Sequence, residues 1–249
     1  MTPKSNLIPS LTTAQMIEVD RLMVERYHIE LIQMMENAGR NLADLALQRF
    51  LRSDARNKQI IVLAGTGGNG GGVLVCARHL HNWGARVSVV LTAQPAAYTG
   101  VTAHQLNVLE SMNLAVFASD VLDLQTQSDL ILDGLIGYSL RGTPRGKVAE
   151  LIEWGNRSVS PILALDTPSG LDLTTGKALS PTIRATATMT LALPKQGLLE
   201  PDASEYVGEL YLADIGVPPE LYSEAFGIHV PDLFYENTLM RIQLPVTIK

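Results

Sequence analysis

Residues 65–72 of this chain read Gly-Thr-Gly-Gly-Asn-Gly-Gly-Gly, between a continuous apolar run, Gln59–Ala64, and an amphipathic one, Val73–Trp83. Few features restrict a fold as strongly. An apolar run of that length reads as a strand buried on both faces, the habit of parallel sheets. The second run reads as a helix stopped by Gly84. Glycines between such a strand and helix let a backbone come close to a phosphate, so the unit carries an expectation about a ligand as well as about the fold.

The alternation continues along the chain. Strands are expected at Arg86–Thr92, Leu114–Phe117, Asp129–Asp133, Pro161–Asp166, Thr186–Leu193 and Gly208–Gly216, and helices at Val101–Met112 and Lys147–Asn156. This predicts an α/β fold with a mostly parallel sheet and helices on both faces. Two N-terminal helices precede the first strand. In the first, Thr12 and Gln15 fit a capping box, and Met16, Val19, Leu22 and Met23 share one face. In the second, Leu31, Met34, Met35, Ala38, Leu42, Leu45 and Ala46 do so. One domain is expected over residues 10–220. After Pro218 the chain reads as irregular, and residues 221–249 as a tail whose apolar content suits packing on the domain or on a partner.

Composition narrows the choice of partners. With 46% hydrophobic residues in a chain of 249, a sizeable core is available. A formal net charge of −6 without a basic run argues against nucleic acid. No stretch has the length and apolarity of a membrane span, and the first residues lack the apolar core of a signal peptide, so a soluble cytoplasmic protein is expected. The single cysteine, Cys76, reads as a small buried hydrophobe. An anionic ligand must therefore be met locally, by backbone N–H groups.

In an open parallel sheet, ligands bind beyond the carboxyl ends of the strands. The sequence places three polar loops there: Gly65–Gly72, the stretch from Asp133 to Thr143, and Asp166–Gly170. Gly65-x-Gly67-x-x-Gly70 has the form of the dinucleotide fingerprint, but the next strand ends VVLTAQPA, without the acid that would bind a ribose. A serine hydrolase is also disfavoured. Ser169 lies in Thr-Pro-Ser-Gly rather than in a G-x-S-x-G elbow, and none of His28, His79, His81, His104 and His229 lies in a strand-end loop. His79 and His81 face apart on their helix and make poor zinc ligands. Asn69, Asp133 and Ser169 present an amide oxygen, a carboxylate and a hydroxyl. These hard donors suit a group I or II cation as well as they suit a hydrogen-bond network that fixes the loops. Asp166 closes a buried strand at the same edge and reads either as a general acid or base or as a cap or turn former. Asp172 reads as a turn residue.

Several segments between Met34 and Tyr222 then carry a family resemblance. MMENAGRNLADLA is similar to an N-terminal M-E-x-A-G helix, and LAGTGGNGGGVLVCARHL to G-x-G-N-N-G-G-D-G-L-x-x-A-R-x-L. DLILDGLIGYSLRG resembles an acid-ended strand with a flexible loop, and LDTPSGLDLTTGK resembles V-D-I-P-S-G-x-D-x-x-T-G. TLALPKQGL and LYLADIGVPPELY match the closing segments. The chain thus resembles the YjeF N-terminal domain, the NAD(P)H-hydrate epimerase family. The resemblance implies a Rossmann-like three-layer α/β/α sandwich, commonly a homodimer. It implies as substrate NADHX or NADPHX, dihydronicotinamide cofactors hydrated at ring carbon 6, whose R and S epimers are interconverted. A separate ATP- or ADP-dependent dehydratase then restores the S form.

The resemblance also implies residue roles. Gly68, Asn69, Gly70, Gly71 and Gly72 would contact the substrate's phosphates. Asn69, Asp133 and Ser169 would hold a potassium ion. Gly137, Tyr138, Ser139, Leu140, Arg141, Gly142 and Thr143 would cover the substrate. Asp166 would contact it near the reacting ring, where one carboxylate that donates and recovers a proton suits epimerisation. Two positions depart from the family's N-N-G-G-D: Gly68 stands for the first Asn and Gly72 for the Asp. A nucleotide-binding or scaffold protein on the same fold, with weakened or no catalysis, is therefore the second expectation.

Overall fold

The computed structural model describes residues 8–118 and 127–243. In chain order it runs α1 (Thr13–Glu25), α2 (Leu31–Arg49), β1 (Gln59–Ala64), α3 (Gly68–Asn82), β2 (Arg86–Leu91), α4 (Gly100–Ser111), β3 (Ala115–Ala118), β4 (Leu130–Gly134), α5 (Gly146–Arg157), β5 (Ile162–Leu165), β6 (Ala187–Leu191), α6 (Ser204–Val207), β7 (Glu209–Ala213), α7 (Pro219–Phe226) and β8 (Leu239–Ile242). The strands form one sheet in the order β3-β2-β1-β4-β5-β6-β7-β8. Every pairing is parallel except that of β8 with β7. This is the mostly parallel α/β architecture that the alternation predicts. The strand order reverses between β1 and β4, which makes that crevice the usual place for a ligand.

Side-chain alternation along β1 explains the layers. Ile60, Val62 and Ala64 pack with Leu42, Leu74, Leu80 and Leu106 from α2, α3 and α4. Ile61 and Leu63 pack on the other face with Ile131, Leu151, Ile152 and Trp154. A third cluster joins the chain's two ends, with Met16, Val19 and Met23 of α1 against Leu193, Leu198, Leu212 and Leu221. The capping box that starts α1 is formed: Thr12 Oγ1 accepts from Gln15 N at 3.1 Å, and Gln15 Oε1 accepts from Thr12 N at 2.9 Å. α1 and α2 therefore lie against the sheet edge where the candidate residues are.

Two expectations change. α3 begins at Gly68 rather than at Val73, so five of the glycine-turn residues are helical. Glycine is a poor helix former, costing about 1 kcal/mol against alanine, and here close packing overrides that preference. The stretch after Pro218 is not irregular throughout: it holds α7, which straddles residue 220, and β8, with Leu210 opposite Ile242. A four-residue edge strand reading LMRI gives almost no periodic signal. The last expected tail residues, 244–249, lie outside the described residues.

Candidate active site

β1 delivers the chain into a turn, and Gly67 caps α3 without any side-chain hydrogen bond. Gly71 N donates to Gly67 O at 3.1 Å. The N–H groups of Gly68, Asn69 and Gly70 precede it and have no acceptor within the helix. With the helix dipole behind them they favour an anion. At Gly67 and Gly68 an added Cβ meets nothing within 4 Å. The next three glycines are different. A Cβ at Gly70 falls 1.8 Å from Gly65 O, at Gly71 2.4 Å from Met35 Sδ, and at Gly72 2.5 Å from Leu165 Cδ2. They are spacers that seat α3 against the turn, α2 and β5. Gly70 and Gly71 are enclosed, so of the five residues expected along the phosphates, Gly68 and Asn69 are the ones open to solvent.

Asp133, at the end of β4, is fully buried. Its Oδ1 accepts from Ser169 Oγ at 2.6 Å and Leu135 N at 3.2 Å, and its Oδ2 accepts from Ser169 N at 2.8 Å. Asn69 Nδ2 donates to Leu165 O at 2.7 Å. This leaves Asn69 Oδ1 beside Gly137, where an added Cβ falls 2.5 Å from it. The structure thus gathers Asn69, Asp133 and Ser169 around the 134–137 turn. Burial pushes the Asp133 carboxyl up to about 6, against the opposing effect of the Ser169 and Leu135 hydrogen bonds. Among the described residues Asp133 has no cationic side chain within ion-pair distance. A buried carboxylate without a counter-charge, flanked by hydroxyl and amide oxygens, fits a metal cation of low charge.

Asp166 follows β5 with φ +66°. Thr167 N donates to Leu165 O at 2.8 Å and closes a three-residue turn around it. Aspartate tolerates this left-handed backbone better than most residues. Asp166 Oδ1 accepts from Lys195 Nζ, from Thr190 Oγ1 at 3.3 Å and from Leu191 N at 3.4 Å. Lys195 Nζ also donates to Leu191 O at 3.0 Å and to Thr190 Oγ1 at 3.3 Å. Asp166 is 2% exposed and Lys195 not at all, so this is a buried ion pair with every ammonium hydrogen placed.

A second acid stands nearby. Asp20, half-buried on α1, accepts a hydrogen bond from the Tyr138 hydroxyl. Burial raises its pKa, the Tyr138 bond and the Lys195 charge oppose that rise, and the Asp166 charge adds to it. Asp20, Tyr138, Asp166, Lys195, Asn69 and Gly72 border one cavity of about 460 Å³, whose apolar walls include Met16, Val24, Leu31, Met34 and Met35. Of the loop expected to cover a substrate, Tyr138 borders this cavity, whereas Ser139, Leu140, Arg141, Gly142 and Thr143 line a separate hollow with Ile136, Arg145 and Val148. Gly137 instead packs on Asn69.

The remaining residues follow their structural readings. Cys76 is buried, His79 Nε2 lies 2.9 Å from Glu36 Oε1, and Asp172 Oδ1 accepts from Thr174 N at 2.8 Å within a turn. Sequence reasoning missed Asp20 and Lys195. A signal for Lys195 was present, because it is the one charged residue in LALPKQGLL directly after a strand. Asp20 sits four residues after Met16, beside the apolar stripe of α1.

Comparison with known proteins agrees with this picture. A family profile described as YjeF-related protein N-terminus matches residues 31–197. An NAD(P)H-hydrate epimerase from Dehalogenimonas lykanthroporepellens is 44% identical over 97% of this chain and 96% of its own. A bifunctional NAD(P)H-hydrate repair enzyme, Nnr, from Moorella thermoacetica is 36% identical over 85% of this chain, which spans 41% of that longer relative. In the crystal structure of yeast ynu0 the same fold recurs with a TM-score of 0.79, at 23% identity, covering 94% of this chain and 100% of that one.

Proposed function

This chain belongs to the YjeF-related N-terminal family, and from that premise we propose that it is an NAD(P)H-hydrate epimerase, an isomerase that interconverts the R and S forms of NADHX or NADPHX. The observation that carries this reading is the buried Asp166–Lys195 pair on a cavity that also reaches the open end of α3. The amides of Gly68 and Asn69 bind the pyrophosphate by hydrogen bonding and dipole, without net positive charge. The apolar walls from α1 and α2 take the hydrated ring and exclude water. Lys195 holds Asp166 in one orientation, so the carboxylate meets the C6 hydroxyl preorganised and moves the proton there.

Asn69, Asp133 and Ser169 would hold a potassium ion, which when bound supplies a positive charge beside the phosphate site and neutralises Asp133. The proposal extends to a cytoplasmic homodimer, supported by the exposure of Ile17, Leu31 and Ile32 on the N-terminal helices. Among the described residues no helix is long and apolar enough to cross a membrane. The proposal also includes a separate ATP- or ADP-dependent dehydratase that consumes the S form. The bifunctional relatives support a coupled repair step.

A coupled assay tests the function. R-NADHX is supplied with an S-specific dehydratase, ATP and potassium, and recovery of NADH absorbance is followed. Recovery faster than spontaneous epimerisation, lost in Asp166→Asn, is the expected outcome. The second reading is a binding protein with weakened catalysis, and Gly72 favours it, because it brings no carboxylate to the cavity. No acceleration, together with an intact rise in melting temperature on adding NADPH, would establish that reading instead.

A further inference from the structure

We propose that Asp20 is a second catalytic group, working against Asp166 across the cavity so that water leaves one face of the substrate ring and returns to the other. The inference rests on the epimerase reading. Inverting C6 requires departure on one face and arrival on the opposite face, and a single fixed carboxylate serves one of them. Of the three carboxyl groups that border the cavity, Glu25 is paired with Arg21, and Asp20 and Asp166 stand on walls built by different elements. Asp166 stands on the sheet edge, and Asp20 on α1, where Met16, Asp20 and Val24, four residues apart, all border the cavity. Each is held by its own partner, Asp166 by the Lys195 ammonium and Asp20 by the Tyr138 hydroxyl.

Their surroundings differ in the way acid–base pairs require. The Lys195 ammonium reaches Asp166, whereas Asp20 has a neutral hydroxyl as its partner and burial raises its pKa. Asp20 then gives its proton to the C6 hydroxyl. The C6–O bond breaks with its electron pair on oxygen, which leaves as water, and the lone pair of the ring nitrogen forms a C6=N bond. A second water adds to the other face. Its electron pair makes the new C6–O bond, the C=N pair returns to nitrogen, and Asp166 takes the proton. One water is released and one consumed, one proton passes from Asp20 to Asp166, and exchange with solvent resets the pair. Tyr138 is a positioning residue for Asp20.

Epimerisation of R-NADHX in ¹⁸O-labelled water, read by mass spectrometry against an enzyme-free control, tests this. Wild type is expected to place one solvent oxygen at C6 of each epimer formed. Asp20→Asn, whose amide oxygen still accepts from Tyr138, is expected to keep the NADPH-induced rise in melting temperature while kcat falls by about 10²–10⁴, the range of a general acid. Epimerisation that retains the substrate oxygen overturns the proposal. So does an Asp20→Asn kcat within about threefold of wild type, far short of a general acid's contribution. Loss of the NADPH-induced rise together with turnover overturns it too, making Asp20 a binding residue. A wild type that gives no acceleration overturns the epimerase reading itself, a result distinct from an active wild type matched by an active Asp20→Asn.

Discussion

Asp133 and Asp166 end adjacent strands of one sheet and both are buried, yet their surroundings have little in common. Asp166 has a lysine of its own, enclosed with it and fully hydrogen-bonded. Asp133 has a serine, two backbone amides and no cationic side chain among the described residues. The half of the edge formed by β5 and β6 is built from charged side chains. The half formed by β1 and β4 is built from backbone groups, glycine spacers and neutral oxygens. A chain that supplies its own counter-charge fixes a carboxylate with an ion pair, whereas one that leaves the counter-charge out holds it with neutral donors alone.

The largest effect that can break this comparison is at Lys195. Lys195→Met leaves Asp166 buried and uncompensated and is expected to cost about 3–5 kcal/mol in urea unfolding. Asp166→Asn combined with Lys195→Met should recover most of that loss, because the ion pair is removed as a unit, while neither protein turns over substrate. A cost below about 1 kcal/mol for Lys195→Met would place the pair in the class of exposed ion pairs. Next is the ion. Replacing tetramethylammonium chloride by potassium chloride at constant ionic strength should stabilise the protein, by about 2.7 kcal/mol at a hundred times Kd. The gain should vanish in Asp133→Asn.

The glycine run sharpens the same contrast at smaller scale. Gly70→Ala drives a Cβ into Gly65 O and is expected to cost about 1–3 kcal/mol or more. Gly68→Ala enters open space and should stabilise α3 by up to about 1 kcal/mol. Equal effects from the two substitutions would show that the β1–α3 turn is not held by close backbone approach.

Much of this was legible in the sequence because it is local. Ile60–Ala64 reads as a doubly buried strand, and the parallel order places Asp133, Asp166 and Ser169 at one edge. What escaped depends on contacts between distant parts of the chain. Gly71 and Gly72 fall inside α3 where Met35 and Leu165 leave no room for a Cβ, a reason for glycine in a helix that no propensity records. Lys195 and Asp20 lie far apart in the sequence and border one cavity only once α1 is packed in the fold. The covering role of residues 137–143 is implied by the family resemblance, and of these Tyr138 alone borders the cavity, with its hydroxyl bonded to Asp20 on α1.

β8 has a consequence beyond geometry. It runs antiparallel along the outer side of β7, with Tyr211 opposite Arg241, and Arg241 reaches Glu209 at 3.4 Å. Without it, β7 would present a row of unpaired N–H and C=O groups, the template on which sheets recruit further chains. The opposite edge is guarded by brevity, since β3 has four residues. The short strand near the C-terminus, and the charge it carries, are thus a defence against aggregation, and a chain cut before Leu239 should express as a self-associating protein.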